Sequence, residues 1–392
     1  MEQTKIDVAQ VEDSIRGCLI AGAAGDALGY PVEFQRVSSI ISRYGSKGIM
    51  KFDLSSDGKA LISDDTQMTL FTANGLMVGL VHNHTRGVEK KSLEEYVRYA
   101  YLDWYHTQSG KYQKVEHPHT WLCNLPELSS LRAPGITCLN ACKAMLQGSE
   151  VENNSKGCGG IMRVAPLALL CASYESHGNP LYTTQRMDEG GAKIAALTHK
   201  HPLGFLPAAM LTHLLYRLVL LDTDSASQRI VEIVYETIDM LDKIYQGQYE
   251  KHKQYLADLT RKAILLSKND ESDGANILQL GEGWVGEETW AIALYCALRH
   301  IDSVEDAIIA AVNHDGDSDS TGAVCGNIMG AIYGYEHLRQ HRIFCPEGKE
   351  LEQTLELSNI TLSLADDLYA GFTAVAPIRR LLMRYVEMQP TE

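Results

Sequence analysis

The stretch HDGDSDSTG, residues 314–322, gathers aspartates and hydroxyl side chains at closely spaced positions. Asp315, Asp317 and Asp319 occupy alternate positions, and Ser320 follows them directly. Neighbouring carboxylates repel one another and raise each other's pKa, so either water screens them or a cation neutralises them. Carboxylate and hydroxyl oxygens are hard ligands that suit Mg²⁺, Mn²⁺ or Ca²⁺ rather than zinc. The stretch is therefore a candidate site for a divalent cation.

Another acidic stretch, Ser63-Asp64-Asp65, lies earlier in the chain. It stands at the start of a predicted helix, because apolar residues recur at helical spacing from Met68 to Leu76. A single serine or aspartate is an ordinary N-cap, but a pair of aspartates exceeds what capping requires. The HDGDSDSTG stretch precedes a glycine-striped helix in the same way. The helix dipole and the free N–H groups at both helix starts favour ionised carboxylates.

We expect the two acidic stretches to meet in space and to hold two divalent cations, Mg²⁺ or Mn²⁺. Four carboxylates would balance the charge of two such ions, and two hydroxyl groups would complete the coordination together with water. The expected metal ligands are Ser63, Asp64, Asp65, Asp317, Asp319 and Ser320. The alternative is a pair of separate, solvated helix caps.

Two other known motifs share features with the HDGDSDSTG stretch. An EF-hand loop that starts at Asp315 needs glycine at its sixth position and glutamate at its twelfth, where the chain has Ser320 and Gly326, so it is excluded. The segment from Asp317 to Thr321 also resembles the nucleophile loop of haloacid-dehalogenase-type phosphatases. That alternative, a metal-dependent phosphohydrolase, predicts a strand before Asp317 and the release of phosphate.

Helical periodicity dominates the chain, and the alternation typical of strands is scarce. Segments 211–222, 230–245, 287–299 and 323–338 all follow a helical pattern, so the sequence predicts an all-α fold. Two helices carry small residues at every fourth position, and glycine inside a helix costs about 1 kcal/mol relative to alanine. We therefore expect these two helices to pack closely at the centre of the protein. Their stripes are Gly17, Ala21, Gly25 and Gly29, and Gly322, Gly326, Gly330 and Gly334.

The chain shows no clear linker, and we expect residues 1–392 to form a single domain. Its core would span about residues 12–340 and its C-terminal helical extension about residues 350–388. The polar segment 246–282 is interpreted as an insertion, with a charged surface helix followed by an exposed loop.

Composition narrows the classes of function. The formal net charge of −15 argues against a general nucleic-acid binder or a ligand of anionic membranes, both of which need a basic surface. No apolar run approaches the length of a membrane span, and the N-terminus lacks the apolar core of a signal peptide. The nine cysteines are odd in number and lie in apolar contexts, which favours free thiols in a reducing compartment. We expect a cytoplasmic monomer.

Four stretches, in this order and at this spacing, resemble the ADP-ribosylglycohydrolases, the family of dinitrogenase reductase activating glycohydrolase and the ADP-ribosylarginine hydrolases. The resemblance spans roughly residues 12–340, and THKHP (198–202) and GEGWVGEETWAIALYCAL (281–298) add further landmarks. The four stretches are GCLIAGAAGDALGYPVEF (17–34), SDDTQM (63–68), GCGGIMRVAPLAL (157–169) and HDGDSDSTGAVCGNIMGAIYG (314–334).

The resemblance implies a compact, orthogonal multi-helix domain with a central binuclear Mg²⁺ or Mn²⁺ cleft. The family's two ligand motifs match the same six residues that the chemistry of the acidic stretches selects. Family members also carry a glutamate near the scissile bond, on the loop after the GDALG helix, and Glu33 matches it. The alternative for Glu33 is a carboxylate of a surface loop.

The glycine-rich segment 153–164 is a candidate phosphate-binding loop. Gly157, Gly159 and Gly160 allow the backbone to approach a ligand closely, with Cys158 among them. The following IMRVAPLALL predicts a helix whose N-terminus would offer N–H groups to a diphosphate. The alternative is a glycine-rich turn into a helix. The family resemblance implies that this loop holds the diphosphate and ribose of ADP-ribose.

Four other residues have both a ligand-binding and a structural interpretation. Arg163 would reach a phosphate or belong to a structural ion pair, and the second is favoured slightly. His199 or His201 would border the adenine or serve the fold alone. Trp284, between glycines, would line the cleft or pack in the core.

The resemblance implies a hydrolase that cleaves the C1″ glycosidic bond of ADP-ribose conjugates, with Asp64, Asp65, Glu33 and Asp319 as catalytic residues. The motifs SDDT and GDSDST resemble those of the arginine-directed branch of the family more than those of the serine-directed branch. ADP-ribosylarginine in modified proteins is therefore the expected substrate. The alternatives are ADP-ribosylserine, an ADP-ribose-containing small molecule or nucleic acid, and a non-catalytic ADP-ribose-binding or immunity protein.

Overall fold

The computed structural model describes residues 7–85, 89–371 and 378–388, which form 17 α-helices and no β-strand. The predicted all-α fold is confirmed. Short 3-10 helices lie at Tyr30–Val32, Trp121–Asn124, Pro126–Leu128 and Cys158–Gly160. The bounds of the α-helices are α1 Val8–Gly29, α2 Val37–Tyr44, α3 Asp64–His84, α4 Leu93–Thr107, α5 Ile136–Leu146, α6 Ala165–Ser176, α7 Thr184–Ala196, α8 Pro202–Val219, α9 Thr223–Ile244, α10 Glu250–Leu266, α11 Asp273–Ile277, α12 Gly286–Arg299, α13 Val304–Val312, α14 Ser318–His341, α15 Leu351–Thr354, α16 Ser358–Ala370 and α17 Ile378–Tyr385.

Helices α1 and α14 pack against each other along their glycine stripes. A Cβ atom added to Gly330 would lie 2.1 Å from the carbonyl oxygen of Gly17, and one added to Gly25 would lie 2.1 Å from that of Gly322. The expected close approach is therefore confirmed. Gly334 departs from the predicted continuous helix, because its φ of 76° breaks α14 in the left-handed region that favours glycine.

The segment expected as a polar insertion is packed against the core more closely than its composition indicates. The predicted charged helix is present as α10, but it buries an apolar face that includes Leu256 and Ile264. Trp290 of α12 donates an indole hydrogen bond to Thr260 of α10 at 3.0 Å. The expected exposed loop after it contains the short helix α11.

One helix of the described chain, Pro202–Val219, has the length and mean hydropathy of a membrane span. The prediction that no apolar run approaches this length is therefore wrong, and the helix predicted over 211–222 begins earlier, at Pro202. Within the protein 83% of the segment is buried, as in a core helix of a globular fold. All nine cysteines are free, eight of them buried and Cys158 partly exposed.

Candidate active site

The N-terminus of α3 carries the first acidic stretch. Ser63 is its N-cap, with Oγ accepting a hydrogen bond from the Asp65 N–H at 3.2 Å, so Asp64 and Asp65 occupy the first turn. Asp26 of α1 fixes this turn, since its carboxylate accepts hydrogen bonds from the N–H groups of Ser63 (2.9 Å) and Thr66 (3.0 Å). The central helix α1 therefore sets the orientation of the aspartate pair.

The N-terminus of α14 carries the second acidic stretch. Asp317 is the N-cap, and its Oδ1 accepts a hydrogen bond from the Ser320 N–H at 3.2 Å, which Asp319 Oδ1 also accepts at 3.0 Å. The Asp317 N–H donates to the carbonyl of Glu282 at 2.8 Å. Gly316 makes this approach possible, because a Cβ atom there would lie 1.9 Å from the same carbonyl oxygen.

Asp315, the first aspartate of that stretch, does not join the other two in the cleft. Its Oδ1 accepts a hydrogen bond from the Val37 N–H at 2.6 Å, at the start of α2, and Arg36 lies 3.8 Å from its other oxygen. Asp315 therefore fixes the segment that follows Glu33.

The two acidic stretches meet in a cleft of about 340 Å³. Carboxylate oxygens of Glu33, Asp317 and Asp319 lie within 4.8 Å of one another. Ser63 is fully buried and does not line the cleft. The cleft is lined by Glu33, Phe34, Asp64, Asp65, Ala133, Pro134, Gly135, Ile136, Thr137, Cys138, Gly157, Cys158, Gly159, Met162, His199, Trp284, Asp317, Asp319 and Ser320.

The cleft concentrates carboxylates without a lysine or an arginine in its lining. Burial, followed by repulsion from Asp319, Asp317 and Asp64, raises the pKa of Glu33 to about 11. Burial also raises the pKa values of Asp64, Asp65 and Asp317 well above the ordinary range, and the charge of Asp319 adds to each shift. The buried Oδ2 of Asp65 has no hydrogen-bond partner. Such a donor set fits divalent cations, which would stabilise the ionised carboxylates.

Glu33 stands at the mouth of the cleft on a strained loop. It follows the 3-10 helix at Tyr30–Val32, and its N–H donates to the Gly29 carbonyl at 3.0 Å. The next residue, Phe34, has a φ of 62° and is 71% exposed. Its ring stacks on Trp284 with centroids 5.1 Å apart, so Trp284 lines the cleft as one of its two interpretations expected. Backbone strain of this kind occurs at ligand-binding loops, and here it lies directly beside Glu33.

The glycine-rich segment lies beside the acidic residues, but its local structure differs from the prediction. Cys158–Gly160 form a 3-10 helix, and α6 begins only at Ala165, because Pro166 favours the first helical turn. The predicted helix start at residue 161 is therefore wrong, and none of α6 lines the cleft.

Gly157, Cys158 and Gly159 all line the cleft, whereas Gly160 does not. A Cβ atom on Gly160 would lie 2.3 Å from the carbonyl oxygen of Gly204, so this glycine serves close packing. The Cys158 thiol donates to Asp317 Oδ2 at 2.9 Å and links the glycine-rich segment to the second acidic stretch.

The two candidate histidines have different positions. His199 is 2% exposed and lines the cleft, and burial, followed by the charge of Arg163, lowers its pKa to about 3, so it is neutral. His201 does not line the cleft, and its Nδ1 caps α8 by accepting the Leu203 N–H at 3.0 Å.

Arg163 is structural, although not as a member of an ion pair. The side chain is fully buried and donates to Thr198 Oγ1 at 2.6 Å and to the carbonyl of Ile194 at 3.4 Å. Its guanidinium also lies 4.6 Å from the centre of the Tyr101 ring. No described carboxylate pairs with it, and it does not line the cleft.

Two features of the site were missed by the sequence analysis. Asp26, inside the GDALG helix, was quoted only as part of a motif, although a charged residue within a glycine stripe signals a buried partner. Segment 132–135 has no chemical pattern of its own, but the Asp64 N–H donates to the Arg132 carbonyl (2.9 Å) and the Gly135 N–H to Asp64 Oδ2 (3.1 Å).

The phosphohydrolase alternative predicted a strand before Asp317. The element that precedes it is the helix α13, and the described residues contain no strand. A haloacid-dehalogenase-type loop is therefore contradicted by the structure.

The chain is similar to known proteins in sequence and in fold. The mouse ADP-ribosylhydrolase ARH3 is 24% identical over 348 residues, covering 82% of this chain and 84% of the mouse protein. ADP-ribosylhydrolase ARH1 of Dictyostelium discoideum is 22% identical over 378 residues, covering 83% of this chain and 88% of that protein. A solved structure titled "ADP-ribosylglycohydrolase-related protein complex" superimposes with a TM-score of 0.54 at 19% identity, covering 93% of this chain and 100% of that one.

The sequence model that describes the family as ADP-ribosylglycohydrolase matches residues 7–377, nearly the whole chain. The match includes both acidic stretches, Glu33 and the glycine-rich segment. The chain belongs to the ADP-ribosylglycohydrolase family and is an enzyme of that family.

Proposed function

We propose that this enzyme hydrolyses the C1″ glycosidic bond of ADP-ribosylated proteins, with arginine as the preferred aglycone. The observation that carries the proposal is the cleft itself, where two helix starts and Glu33 gather five carboxylates beside a glycine-rich segment. No lysine or arginine lines the cleft, so no basic side chain would repel a cationic guanidinium group there.

Two divalent cations, Mg²⁺ or Mn²⁺, fit the acidic end of the cleft. Asp64, Asp65, Asp317 and Asp319 would hold them with oxygen ligands, and Ser320 lines the same end. When bound, such ions lower the pKa of a coordinated water molecule and orient the hydroxyl groups of a sugar. Ser63 remains a predicted ligand, although its Oγ already accepts the Asp65 N–H.

The chain's own residues supply the proton transfer and the positioning of the substrate. Hydrolysis breaks the C1″–N bond, forms a C1″–O bond to water, and delivers a proton to the leaving nitrogen. Glu33, partly exposed at the mouth, would hold that proton at a carboxyl oxygen. Gly157 and Gly159 would admit the diphosphate close to the backbone, and neutral His199 would border the nucleoside.

The experiment is a panel of defined substrates incubated with the full-length protein and Mg²⁺ or Mn²⁺. Peptides that carry ADP-ribose on arginine or on serine are compared, and released ADP-ribose is measured. We expect release from arginine to exceed release from serine. The matched variant Glu33→Gln should lower kcat by roughly 10²–10⁴-fold, as expected for the loss of a general acid, while it still binds ADP-ribose.

Each other outcome would overturn a specific part of the proposal. Faster release from serine would identify serine as the preferred aglycone and leave the proposed cleavage at C1″ unchanged. Binding of ADP-ribose without release from any conjugate would favour a non-catalytic binder. Full activity in Glu33→Gln would show that Glu33 does not donate the proton to the leaving nitrogen.

A further inference from the structure

Two aromatic rings stand at the mouth of the acidic cleft, and the proposed metal binding and proton transfer use neither of them. Phe34 and Trp284 both line the cleft, and their rings stack with centroids 5.1 Å apart and planes inclined by 21°. Trp284 covers one face of the Phe34 ring, yet Phe34 is still 71% exposed. The other face of the ring is therefore open to solvent, and a flat group can stack on it.

The backbone is fixed by hydrogen bonds on both sides of Phe34. Before it, the Glu33 N–H donates to the Gly29 carbonyl at 3.0 Å, and after it, the Gln35 N–H donates to the Val32 carbonyl at 3.0 Å. Phe34 itself has a φ of 62°, a strained conformation for a residue with a side chain. A backbone held in this way presents the exposed ring in one position, so a ligand that stacks on it pays little to order the loop.

Both rings are attached to the acidic end of the cleft, where the sugar that carries the C1″ bond would lie. Phe34 directly follows Glu33, and carboxylate oxygens of Glu33 and Asp317 lie within 4.8 Å of each other. Trp284 lies two residues after Glu282, whose carbonyl accepts the Asp317 N–H at 2.8 Å. In the substrate the aglycone is bonded directly to C1″, whereas two phosphates and a second ribose separate the adenine from that sugar. The aglycone is therefore the part of the substrate that lies beside the two rings.

The guanidinium group of arginine matches the open face of the Phe34 ring. It is planar, delocalised and weakly hydrated, and it stacks on aromatic faces for these reasons. The carboxylates of the cleft attract its positive charge, and no lysine or arginine of the lining competes with it for the ring. A serine aglycone brings neither a plane nor a positive charge to this position.

We propose that Phe34 determines the specificity for the aglycone, because the open face of its ring stacks on the guanidinium of an ADP-ribosylated arginine. Trp284 is a positioning residue, since it supports the opposite face of the same ring. This inference rests on the proposed function and adds the side chain that selects arginine over serine.

The test compares Phe34→Leu and Phe34→Tyr with the wild type, as full-length proteins with Mg²⁺ or Mn²⁺. For a peptide that carries ADP-ribose on arginine, Phe34→Leu should raise KM roughly 2–30-fold, the range of a cation–π contact. Its kcat should change little, because the stack is present in the bound substrate and in the transition state alike. The inhibition constant of free ADP-ribose, which lacks the arginine, should be unchanged. Phe34→Tyr keeps an aromatic face and should keep the KM of the wild type.

Tyr235→Leu is the control, because it removes an exposed ring of α9 that does not line the cleft, and its kinetics should equal those of the wild type. An unchanged KM in Phe34→Leu, or an equal rise in Phe34→Tyr, would overturn the inference. Weaker inhibition by ADP-ribose would place the ring against the part that all conjugates share, and a fall in kcat alone would mean that Phe34 acts through Glu33. Each of these results leaves the proposed function standing. If the wild type releases no ADP-ribose from the arginine peptide, the proposed aglycone fails and this inference fails with it.

Discussion

At the scale of single residues, Asp26 and Asp103 form a matched pair of buried aspartates. Each carboxylate accepts hydrogen bonds from the N–H and hydroxyl of one threonine, Thr66 for Asp26 and Thr120 for Asp103. Burial raises the pKa of each to about 7, and the charge of Asp319 adds to the shift of Asp26. Only Asp26 also holds the turn that presents the acidic pair of α3. A comparison of substitutions at the two residues therefore distinguishes the positioning of metal ligands from a purely structural role.

We predict that Asp26→Asn weakens Mg²⁺ or Mn²⁺ binding about 10–100-fold, the usual effect of a residue that orients metal ligands. An amide cannot accept every hydrogen bond that the carboxylate accepts from Ser63 and Thr66, because its nitrogen is a donor. The measurement is a metal titration of hydrolysis, and excess metal should restore part of the activity.

Asp103→Asn is the control, because it makes the same chemical change on α4, away from the cleft. It should lower stability without moving the metal dependence. An equal loss of metal affinity in both variants would show that Asp26 acts only through the fold.

The residues that could be found from the sequence were those with a chemical pattern of their own. Asp64, Asp65, Asp317 and Asp319 stand out as paired carboxylates at helix starts, and the structure brings them to one cleft. Asp26 and segment 132–135 could not be found in this way, because their role is to bond the backbone of other segments. Such contacts depend on which distant segments the fold brings together.

At the scale of elements, the contact between α1 and α14 decides where the acidic stretches lie. Carbonyl oxygens of one helix lie where side chains of the other would begin, at Gly17, Gly25, Gly322 and Gly330. The Asn327 side chain adds a hydrogen bond of 2.8 Å to the Cys18 carbonyl across the same interface. This close contact places Asp26 on α1 and Asp319 on α14 near enough to repel each other.

We predict that Gly330→Ala destabilises the protein, because its Cβ atom would lie 2.1 Å from the carbonyl oxygen of Gly17 on the packed helix. Overpacking of this kind costs roughly 1–3 kcal/mol. The midpoint of urea unfolding measures the effect, and activity should fall with it as the helices move apart.

Gly274→Ala is the matched control for this substitution. Gly274 also lies inside a helix, α11, but no atom lies within 4 Å of the added Cβ. The change should therefore be neutral or stabilise the protein by roughly 0.4–1 kcal/mol. Similar destabilisation in both variants would mean that the contact between α1 and α14 does not explain the loss at Gly330.

The elements themselves were largely predictable, because apolar periodicity and glycine spacing are local signals. The failures have local physical causes that compete with periodicity. Pro166 moves the start of α6 past Ile161, and the positive φ of Gly334 interrupts α14. In α10 the charged residues obscured an apolar face that packs against α8, α9 and α12.

At the scale of the whole molecule, the negative charge is distributed unevenly between surface and interior. The formal net charge is −15, and the cleft buries Asp64, Asp65, Asp317 and Asp319 without a lysine or an arginine in its lining. Burying unpaired carboxylates destabilises the folded state unless a proton or a cation compensates. Cation binding at the cleft should therefore be linked to the stability of the whole fold.

We predict that Mg²⁺ or Mn²⁺ raises the thermal unfolding midpoint of the full-length protein and that a chelator lowers it. A ligand that binds only the folded state stabilises it by about 2.7 kcal/mol when its concentration is one hundred times Kd. Differential scanning fluorimetry over a metal titration measures the shift. Asp317→Asn should lose most of it, while His213→Gln should keep it, because His213 lies outside the cleft. A shift that persists in Asp317→Asn would mean that the stabilising ions bind elsewhere on this acidic protein.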